Sequence, residues 1–582
     1  MNFKIDKFPF NLIICLLLSY LFFAPALFFP IFIFDDHFHI FQNPFVINPS
    51  FSNFLHVWLE SRTPVIFNLW QTISLVFGTE SPVPFRALNI IVHGLNAALV
   101  LKISLLLLHK KSLQYAQFAS WSITAIFLIH PIQVESIVWI SSFKGTAASF
   151  MALLALYYIL AQKKLDDPEV DDDPFGILIL VLFVVGLLIK PSIAPMAIVL
   201  PLVDYLHHQR ALKTIFKKYS AMIITSILVG LVFQKHLLTT DYQVITTIQK
   251  TQITFLSFFV YLKNIIFPFQ LAFSYNLTPL EILKLLSNLK NSIALSLFYL
   301  ILGFCFAFAL RKSAQKNLLI LSGASFFLLF LPTSGFIPFD FQNISTVADR
   351  YAYLPLVFFC LFLFSLFDEL IDLKKLQKIL PALLIILAIL NFNQIRLWSN
   401  NESILLSGQN PKYLPISILL PLTQAKILEG DENAARNYAE QAFKISPENS
   451  ASLILRKTLL SSDLHQYLMT ALMLENNSQY LAQIDPFEIG QLYERLNLFL
   501  LADRFYKRSL LTTKDPANRQ KIEQRLTRQK YIHIMMSYVG MIQFHFDQGD
   551  GVKGRQLIQE FKALDLPPEY HFYIDQLNSW LR

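Results

Sequence analysis

Charge is scarce in this chain: Asp, Glu, Lys and Arg together make up 15% of its 582 residues, against about 25% in soluble domains. That scarcity excludes an ordinary soluble enzyme. With 54% hydrophobic residues it excludes a nucleic-acid-binding protein as well. Cysteine is scarcer still. Cys15, Cys305 and Cys360 all lie inside apolar runs, so no disulfide framework, zinc site or iron–sulfur cluster can be assembled from them. What is abundant is hydrocarbon: the mean hydropathy is +0.48, and the 55 phenylalanines read as lipid-facing bulk and packing. The chain reads as a polytopic membrane protein with a soluble portion attached, and it carries a net charge of +8.

The apolar runs fall between residues 10 and 396, each close to the roughly 20 residues that a bilayer demands. They are 10–33, 85–108, 116–131, 145–161, 175–190, 192–206, 219–235, 252–269, 291–310, 317–332, 350–368 and 379–396. The first is too long for a signal peptide, is interrupted by Pro25 and Pro30, and lacks a small-residue cleavage site; it reads as an uncleaved first span. After Arg396 charge and helical periodicity rise, which divides the chain into 1–396 and 397–582. Lys4 and Lys7, the run from His109 to Lys111, the cluster from His207 to Lys218, Arg311 with Lys312 and Lys316, and Lys374 to Lys378 all belong in the cytoplasm by the positive-inside rule. Simple alternation then fails at 252–269, which Lys263 and Asn264 interrupt, so that segment reads as re-entrant or interfacial. The acidic loop 162–174 carries little orienting weight. This topology puts the N-terminus in the cytoplasm and the tail beyond 397 outside it.

The same topology gathers the polar residues that lipid should exclude onto the outer face. They are Asp35, Asp36, His37, His39 and Arg62 in the first loop, Arg86 where the chain re-enters, and His130, Glu135, Trp139 and Lys144 in the third-to-fourth connection. Lys190-Pro191, Tyr275 in the stretch 274–276, and Asp349, Arg350, Tyr351 and Tyr353 complete the set. Ionisable groups at membrane depth are costly and usually mark a function, so five such segments predict one polar cavity. Adjacent carboxylates can act as general base and electrostatic stabiliser, with one pushed up by the other. Lys144, Lys190, Arg62, Arg86 and Arg350 would hold a phosphate or pyrophosphate. A transferase drawing on a lipid-phosphate donor needs this combination beside a bilayer.

The residues also carry a resemblance. The run from Phe34 to His39 is similar to the Phe-Asp-Glu-x-His-Phe signature that follows the first span of protein O-mannosyltransferases. The whole set resembles the transmembrane-and-tetratricopeptide-repeat (TMTC) family and its bacterial branch. An Asp-Asp loop closed by Asn43-Pro44-Phe45-Val46 matches there, as does His130-Pro131 with Val134-Glu135-Ser136, Trp139 and Lys144. Lys190-Pro191 ahead of Val203-Asp204-Tyr205, Asp349-Arg350-Tyr351 with Tyr353-Leu354-Pro355, and Trp398 match as well. The family's Arg-Lys-Asp is here Phe143-Lys144-Gly145, so one carboxylate is absent and only the lysine carries over. The resemblance implies a GT-C-type glycosyltransferase: an all-α membrane domain of about 11 to 12 transmembrane helices, then a C-terminal helical tetratricopeptide-repeat-like solenoid.

Its implied donor is a polyprenyl-phosphate-linked sugar and its implied acceptor a hydroxyl of an exported protein. The sequence expectation follows. Asp35 or Asp36, with Glu135, performs catalysis. Lys144, Lys190 and Arg350, with Arg62 and Arg86, hold the departing phosphate. His37, His39, His130, Tyr351, Tyr353 and Tyr275 line the substrate pocket. No cofactor is required, although a divalent cation on Asp35 and Asp36 is conceivable. Each residue has a plainer reading too: Asp35-Asp36 as a loop helix cap, the histidines as hydrogen-bonded side chains, Glu135 as a partner for Lys144, Arg350 as an interfacial anchor.

In the tail, Ala425, Gly430, Ala435, Ala442 and Pro447 keep the spacing of a repeat of about 34 residues. A second unit falls at Gly490, Tyr493, Ala502, Tyr506 and Ser509, and a poor third lies at 543–566. A capping helix is expected at 567–582. Such a solenoid would present a protein acceptor to the cavity. The chain ends Trp580-Leu581-Arg582 without a retention signal, which favours a bacterial inner membrane with a periplasmic tail. The partners expected are the bilayer, the lipid-linked sugar and the exported acceptor, with no nucleic acid. Two rivals stand beside this: a transferase acting on a lipid or surface glycan, and a non-enzymatic membrane scaffold built on the repeats.

Overall fold

The computed structural model describes residues 8–41, 43–61, 63–162, 175–237, 245–411, 413–445, 454, 470–471, 484–496, 498–513, 516–547 and 551–564. Arg62, Lys4, Lys7, the loop 163–174, Pro447 and the segment 567–582, all singled out above, lie outside the described residues. Every regular element among the described residues is a helix.

Among the described residues, seven helices are long and apolar enough to cross a membrane: Pro9–Phe28, Val83–Leu107, Ile140–Leu160, Leu212–Leu231, Leu289–Lys312, Lys316–Thr333 and Leu373–Leu397. The pair Leu113–Ile129 and Pro131–Val138, bent by 51°, makes an eighth if it is one broken span. Three more expected spans are shorter apolar helices, Gly176–Ile189, Pro355–Phe367 and, of only 8 residues, Met196–Val203. The doubtful 252–269 segment lies in an unbroken helix, Thr247–Ile266, of 20 residues. Lys263 and Asn264 sit within its last turn without interrupting it, because the i to i−4 ladder is indifferent to a polar side chain that finds a partner.

Val83–Leu107 is the hub of the membrane portion: most of it is buried, whereas Leu289–Lys312 is almost wholly exposed. The reason is written along one face. Arg86, Asn89, His93 and Asn96, spaced three, four and three residues apart, form a polar stripe on an otherwise apolar helix, and all four are buried. A polar group in such surroundings must find a partner inside the protein, so the stripe fixes what packs there. Asn89 Nδ2 donates to the carbonyls of Ile137 and Trp139, and Asn96 Nδ2 donates to that of Thr146.

Two X-Pro steps then break helices where side chains are needed. Proline disfavours the helical conformation of the residue before it. His130, before Pro131, is extended and ends Leu113–Ile129. Lys190, before Pro191, is extended (φ −154°) and ends Gly176–Ile189. Pro355 instead takes the first position of the helix Pro355–Leu370, two residues after the Asp349–Ala352 turn, and Leu354 before it stays helical.

The chain forms two compact units, Met1–Ile418 and Leu419–Arg582. The first runs on beyond Arg396, the expected boundary, because the segment after the last span is bonded back to it. Asn401 Nδ2 donates to the carbonyl of Ile31 and its Oδ1 accepts from the N–H of Ile33; Gln409 Nε2 donates to the carbonyl of Ser274.

In the second unit Pro486–Arg495 and Phe499–Thr512 form a close helical pair. Gly490 is the reason they approach: a Cβ there would stand 2.6 Å from the Tyr506 ring. Tyr506 is fully buried and its hydroxyl donates to Glu494 Oε2, which also accepts from Arg525. Gly490→Ala is therefore expected to cost roughly 1–3 kcal/mol by overpacking, seen as a lower denaturant midpoint for the second unit in the full chain. An unchanged midpoint would mean that Tyr506 has room to move. The segment expected to be a poor third unit is a hairpin of Pro516–Asp547 and Gly551–Lys562, closed by Ile532, Met535, Ile542, Leu557, Ile558 and Phe561. Its first helix has 32 residues, too long for the helix of a regular repeat of about 34 residues.

Candidate functional site

Five distant segments meet in an aromatic box. Phe32 and Phe34 come from the first loop, Trp139 from the third-to-fourth connection, Phe273 from the loop after Thr247–Ile266, Phe341 from the stretch before Asp349, and Trp398 from the end of Leu373–Leu397. Phe32 contacts Trp139, Phe273 and Trp398 at ring separations of 5.1–5.5 Å. Phe34 reaches Trp139, Phe273 and Phe341. Edge-to-face contacts of this kind contribute about 0.5–1.5 kcal/mol each beyond area burial. Into the box projects one cation. The Arg350 guanidinium lies 4.0 Å from the Phe341 centroid, 4.8 Å from Tyr351 and 4.9 Å from Trp139.

Arg350 is neutralised on its other side. Its Nη1 donates to Glu135 Oε1 at 2.5 Å, and its backbone N–H donates to Glu135 Oε2 at 3.0 Å. Glu135 is therefore committed at both oxygens to one residue, a positioning partner for Arg350 rather than for Lys144. Next to it, Asp349 Oδ1 accepts from Tyr275 Oη at 2.6 Å. Burial, followed by the neighbouring Glu135 carboxylate, holds the Asp349 carboxyl well above the usual range. Tyr275, expected to line the pocket, is thereby tied to Asp349.

The two first-loop aspartates differ. Asp35 is partly exposed and faces His39, whose Nδ1 is 4.0 Å from Asp35 Oδ2. Asp36 is fully buried. Its Oδ1 accepts the Ser141 N–H at 2.7 Å, while its Oδ2 is buried with no hydrogen-bond partner among the described residues. Burial raises the Asp36 carboxyl to about 6; the bond from Ser141 and the charge of Arg86 work against that rise without cancelling it. A carboxyl raised toward neutrality with one free oxygen has the properties of a general base.

Three residues beyond Ser141, Lys144 sits in the first turn of Phe143–Leu160, 5.5 Å from the Phe67 ring and 5.4 Å from Trp70. His39 stacks on the same Trp70. Burial, then the Lys144 charge, lowers His39 to about 4, so its imidazole is neutral at physiological pH. His37 lies in the adjoining turn His37–Phe41. Lys190, across Gly145, sits 5.3 Å from the Tyr351 ring. Lys190, Arg350, Tyr351 and Tyr353 line one pocket, walled elsewhere by Ala148, Leu329 and Leu354. Asp35 and Arg350 interact electrostatically, as do Lys144 and Lys190, so aspartates and cations share one region.

Two expected ligand-facing residues are structural instead. Arg86 donates to main-chain carbonyls through all three nitrogens: Nε to Val138 at 3.2 Å, Nη1 to Phe29 and Nη2 to Pro30. It pins the first loop to the hub helix and reaches the site only as a charge near Asp36. His130 accepts the Ile132 N–H at Nδ1 and donates from Nε2 to the Ile265 carbonyl, which leaves no ring nitrogen for a substrate. Tyr353 turns its hydroxyl away from the pocket toward His93 and Asn96. His93 Nε2 faces the Leu128 carbonyl and must donate there, so its Nδ1 accepts the Tyr353 proton. Asn96 Nδ2 donates to the same hydroxyl. This relay anchors the Arg350 turn to the hub helix.

The expectations above omitted His93, Asn96, Trp70 and Ser141, and placed Asp349 on the outer face without giving it a role. The polar spacing along Val83–Leu107 was the available signal for the first two; nothing local in the sequence marks Ser141, which acts through its backbone. Among the described residues no group of three or more His, Cys, Asp or Glu is placed to hold a metal ion.

No family model, curated protein or solved structure matches the chain.

Proposed function

We propose that the chain is an integral-membrane glycosyltransferase of GT-C type that moves a sugar from a polyprenyl-phosphate donor to a hydroxyl of an exported protein. The membrane portion would comprise about 11 to 12 crossings, lying in a bacterial inner membrane. The C-terminal unit would be a periplasmic, tetratricopeptide-repeat-like acceptor platform.

The observation that carries this reading is the free, buried Oδ2 of Asp36 in the region that Lys144, Lys190 and Arg350 charge positively. Asp36 accepts the acceptor's hydroxyl proton as the oxygen attacks the anomeric carbon. The bond from that carbon to the phosphate oxygen breaks, and the negative charge left on the phosphate is met by Lys190 and Arg350. Lys144 lies between the aspartates and Lys190 and steadies both the carboxylates and the departing group. Glu135 orients Arg350, the His93–Tyr353 relay holds its turn, and neither touches substrate. A stabilised leaving group and a base poised near neutrality carry the step in this reading, and none is assigned to a metal ion.

Sugar transfer to cell-surface acceptors by cells carrying Asp36→Asn is the direct test. Transfer at the wild-type level, with normal membrane insertion, removes the assignment.

A further inference from the structure

Asp36 and Arg350 arrive on separate segments, and no hydrogen bond joins them among the described residues. One connection ties both: Ser141 bonds Asp36, and Glu135 bonds Arg350. Residues 398–409, which follow the span Leu373–Leu397, tie both a second time. Residues 30–32, just ahead of the aspartates, belong to no helix, so their main-chain groups need partners from elsewhere. Arg86 takes the carbonyls of Phe29 and Pro30. Asn401 takes the next two groups with one side-chain amide. Its Nδ2 donates to the Ile31 carbonyl at 3.2 Å, and its Oδ1 accepts the Ile33 N–H at 3.0 Å. Trp398 packs on Phe32, the residue between them.

The far end of the same segment holds the loop that steadies Arg350. Gln409 Nε2 donates to the Ser274 carbonyl at 2.8 Å, and its Oε1 accepts from Asn276 Nδ2. Gly408 (φ +70°) lies so close that a Cβ would stand 2.6 Å from the Ala272 Cβ. The Ala272 N–H donates to Tyr275 Oη, which donates in turn to Asp349, the neighbour of Arg350.

Resting on the reading of Asp36 as base and Arg350 as phosphate partner, we propose that residues 398–409 form a strap that keeps the two in register. Asn401 and Gln409 are its positioning residues. Asn401 acts through the backbone ahead of Asp36, and Gln409 acts through Tyr275 and Asp349. A misplacement of about 1 Å at a reacting centre can cost about a hundredfold in rate, so a tie remote from the chemistry still governs turnover.

The test reads hydrogen–deuterium exchange of the full chain in phosphatidylcholine nanodiscs at two amides. One is Ser141 N–H, held by Asp36; the other is Arg350 N–H, held by Glu135. Asn401→Leu is expected to speed exchange in the Ser141 peptide about tenfold or more, and Gln409→Leu to do the same in the Arg350 peptide. Wild-type exchange at both amides in both variants overturns the strap. Sugar transfer to cell-surface acceptors is the second readout, and each variant is expected to lower it about tenfold or more. The rise of transfer with pH, expected near 6 in wild type because Asp36 is buried, should move lower in Asn401→Leu as that burial relaxes. It should stay in place in Gln409→Leu, which leaves the first loop tied; the charges of Arg86 and Asp35 beside Asp36 are kept in both. Faster exchange with transfer at the wild-type level would make the ties structural only and overturns the proposal. If Asn401→Leu does not assemble, Gln409→Leu carries both readouts, and its wild-type behaviour in either overturns the proposal. If wild type itself transfers nothing, the activity reading fails, and exchange alone decides whether the strap holds the register.

Discussion

Asp36→Asn is expected to lower sugar transfer by about two to four orders of magnitude, the usual contribution of a positioned general base. Asparagine keeps the size of the side chain and can still accept the Ser141 N–H, so the loop should be retained while the proton acceptor is lost. The pH dependence gives a sharper signature. Burial raises the Asp36 carboxyl to about 6, and only its deprotonated form is a base. Wild-type transfer should therefore climb as pH rises through about 6 and level off above it.

Stability should move the opposite way. A carboxyl raised above its ordinary value of 3.8 favours the folded state below that value, and the benefit is lost as pH rises through about 6. In wild type the thermal midpoint should fall across this window as transfer rises, and Asp36→Asn should remove that share of the fall. A variant whose midpoint falls as steeply as wild type would show that another group titrates there.

Glu135→Gln is expected to be strongly destabilising, by roughly 3–5 kcal/mol, since it leaves a buried guanidinium without its counter-charge. Glutamine preserves the shape and can still accept the Arg350 backbone N–H, so the loss would be electrostatic. Pairing it with Arg350→Met should restore most of the stability, because an apolar replacement of a whole buried pair is often neutral. The restored double variant should still fail to transfer sugar, since it lacks the guanidinium offered to the phosphate. Thermal midpoint and transfer measured on wild type, Glu135→Gln and the double variant separate the two roles. A single Glu135→Gln variant with an unchanged midpoint would mean that the pair contributes nothing to folding.

Much of the fold is legible in the sequence because a bilayer imposes a coarse rule. Seven of the expected spans coincide with long apolar helices, since only about 20 apolar residues cross hydrocarbon. The rule fails for short segments: Met196–Val203 and Gly176–Ile189 are packed against neighbours, and burial in protein looks the same as burial in lipid from composition alone. It also failed at the domain boundary, because the bonds of Asn401 and Gln409 to the first unit involve partners more than 130 residues away.

The polar inventory of the site was visible, but its division of labour was not. Arg86, Arg350, Lys144 and Lys190 are alike as letters: cations at the ends of apolar runs. Only packing distinguishes the guanidinium bonded to three carbonyls, the one paired with Glu135, and the ammonium left beside Gly145. Likewise Asp35 and Asp36 are neighbours of identical chemistry, and only packing buries the second, which is the main cause of its raised carboxyl.

The sequence by itself determined where hydrocarbon would be crossed and which ionisable groups had to be sheltered, because transfer free energy depends on residue type and run length. The tertiary structure alone decided which of those groups are partnered and which stand free. A charge's chemistry depends on what lies within a few ångströms of it, and in this chain those neighbours come from segments up to hundreds of residues apart.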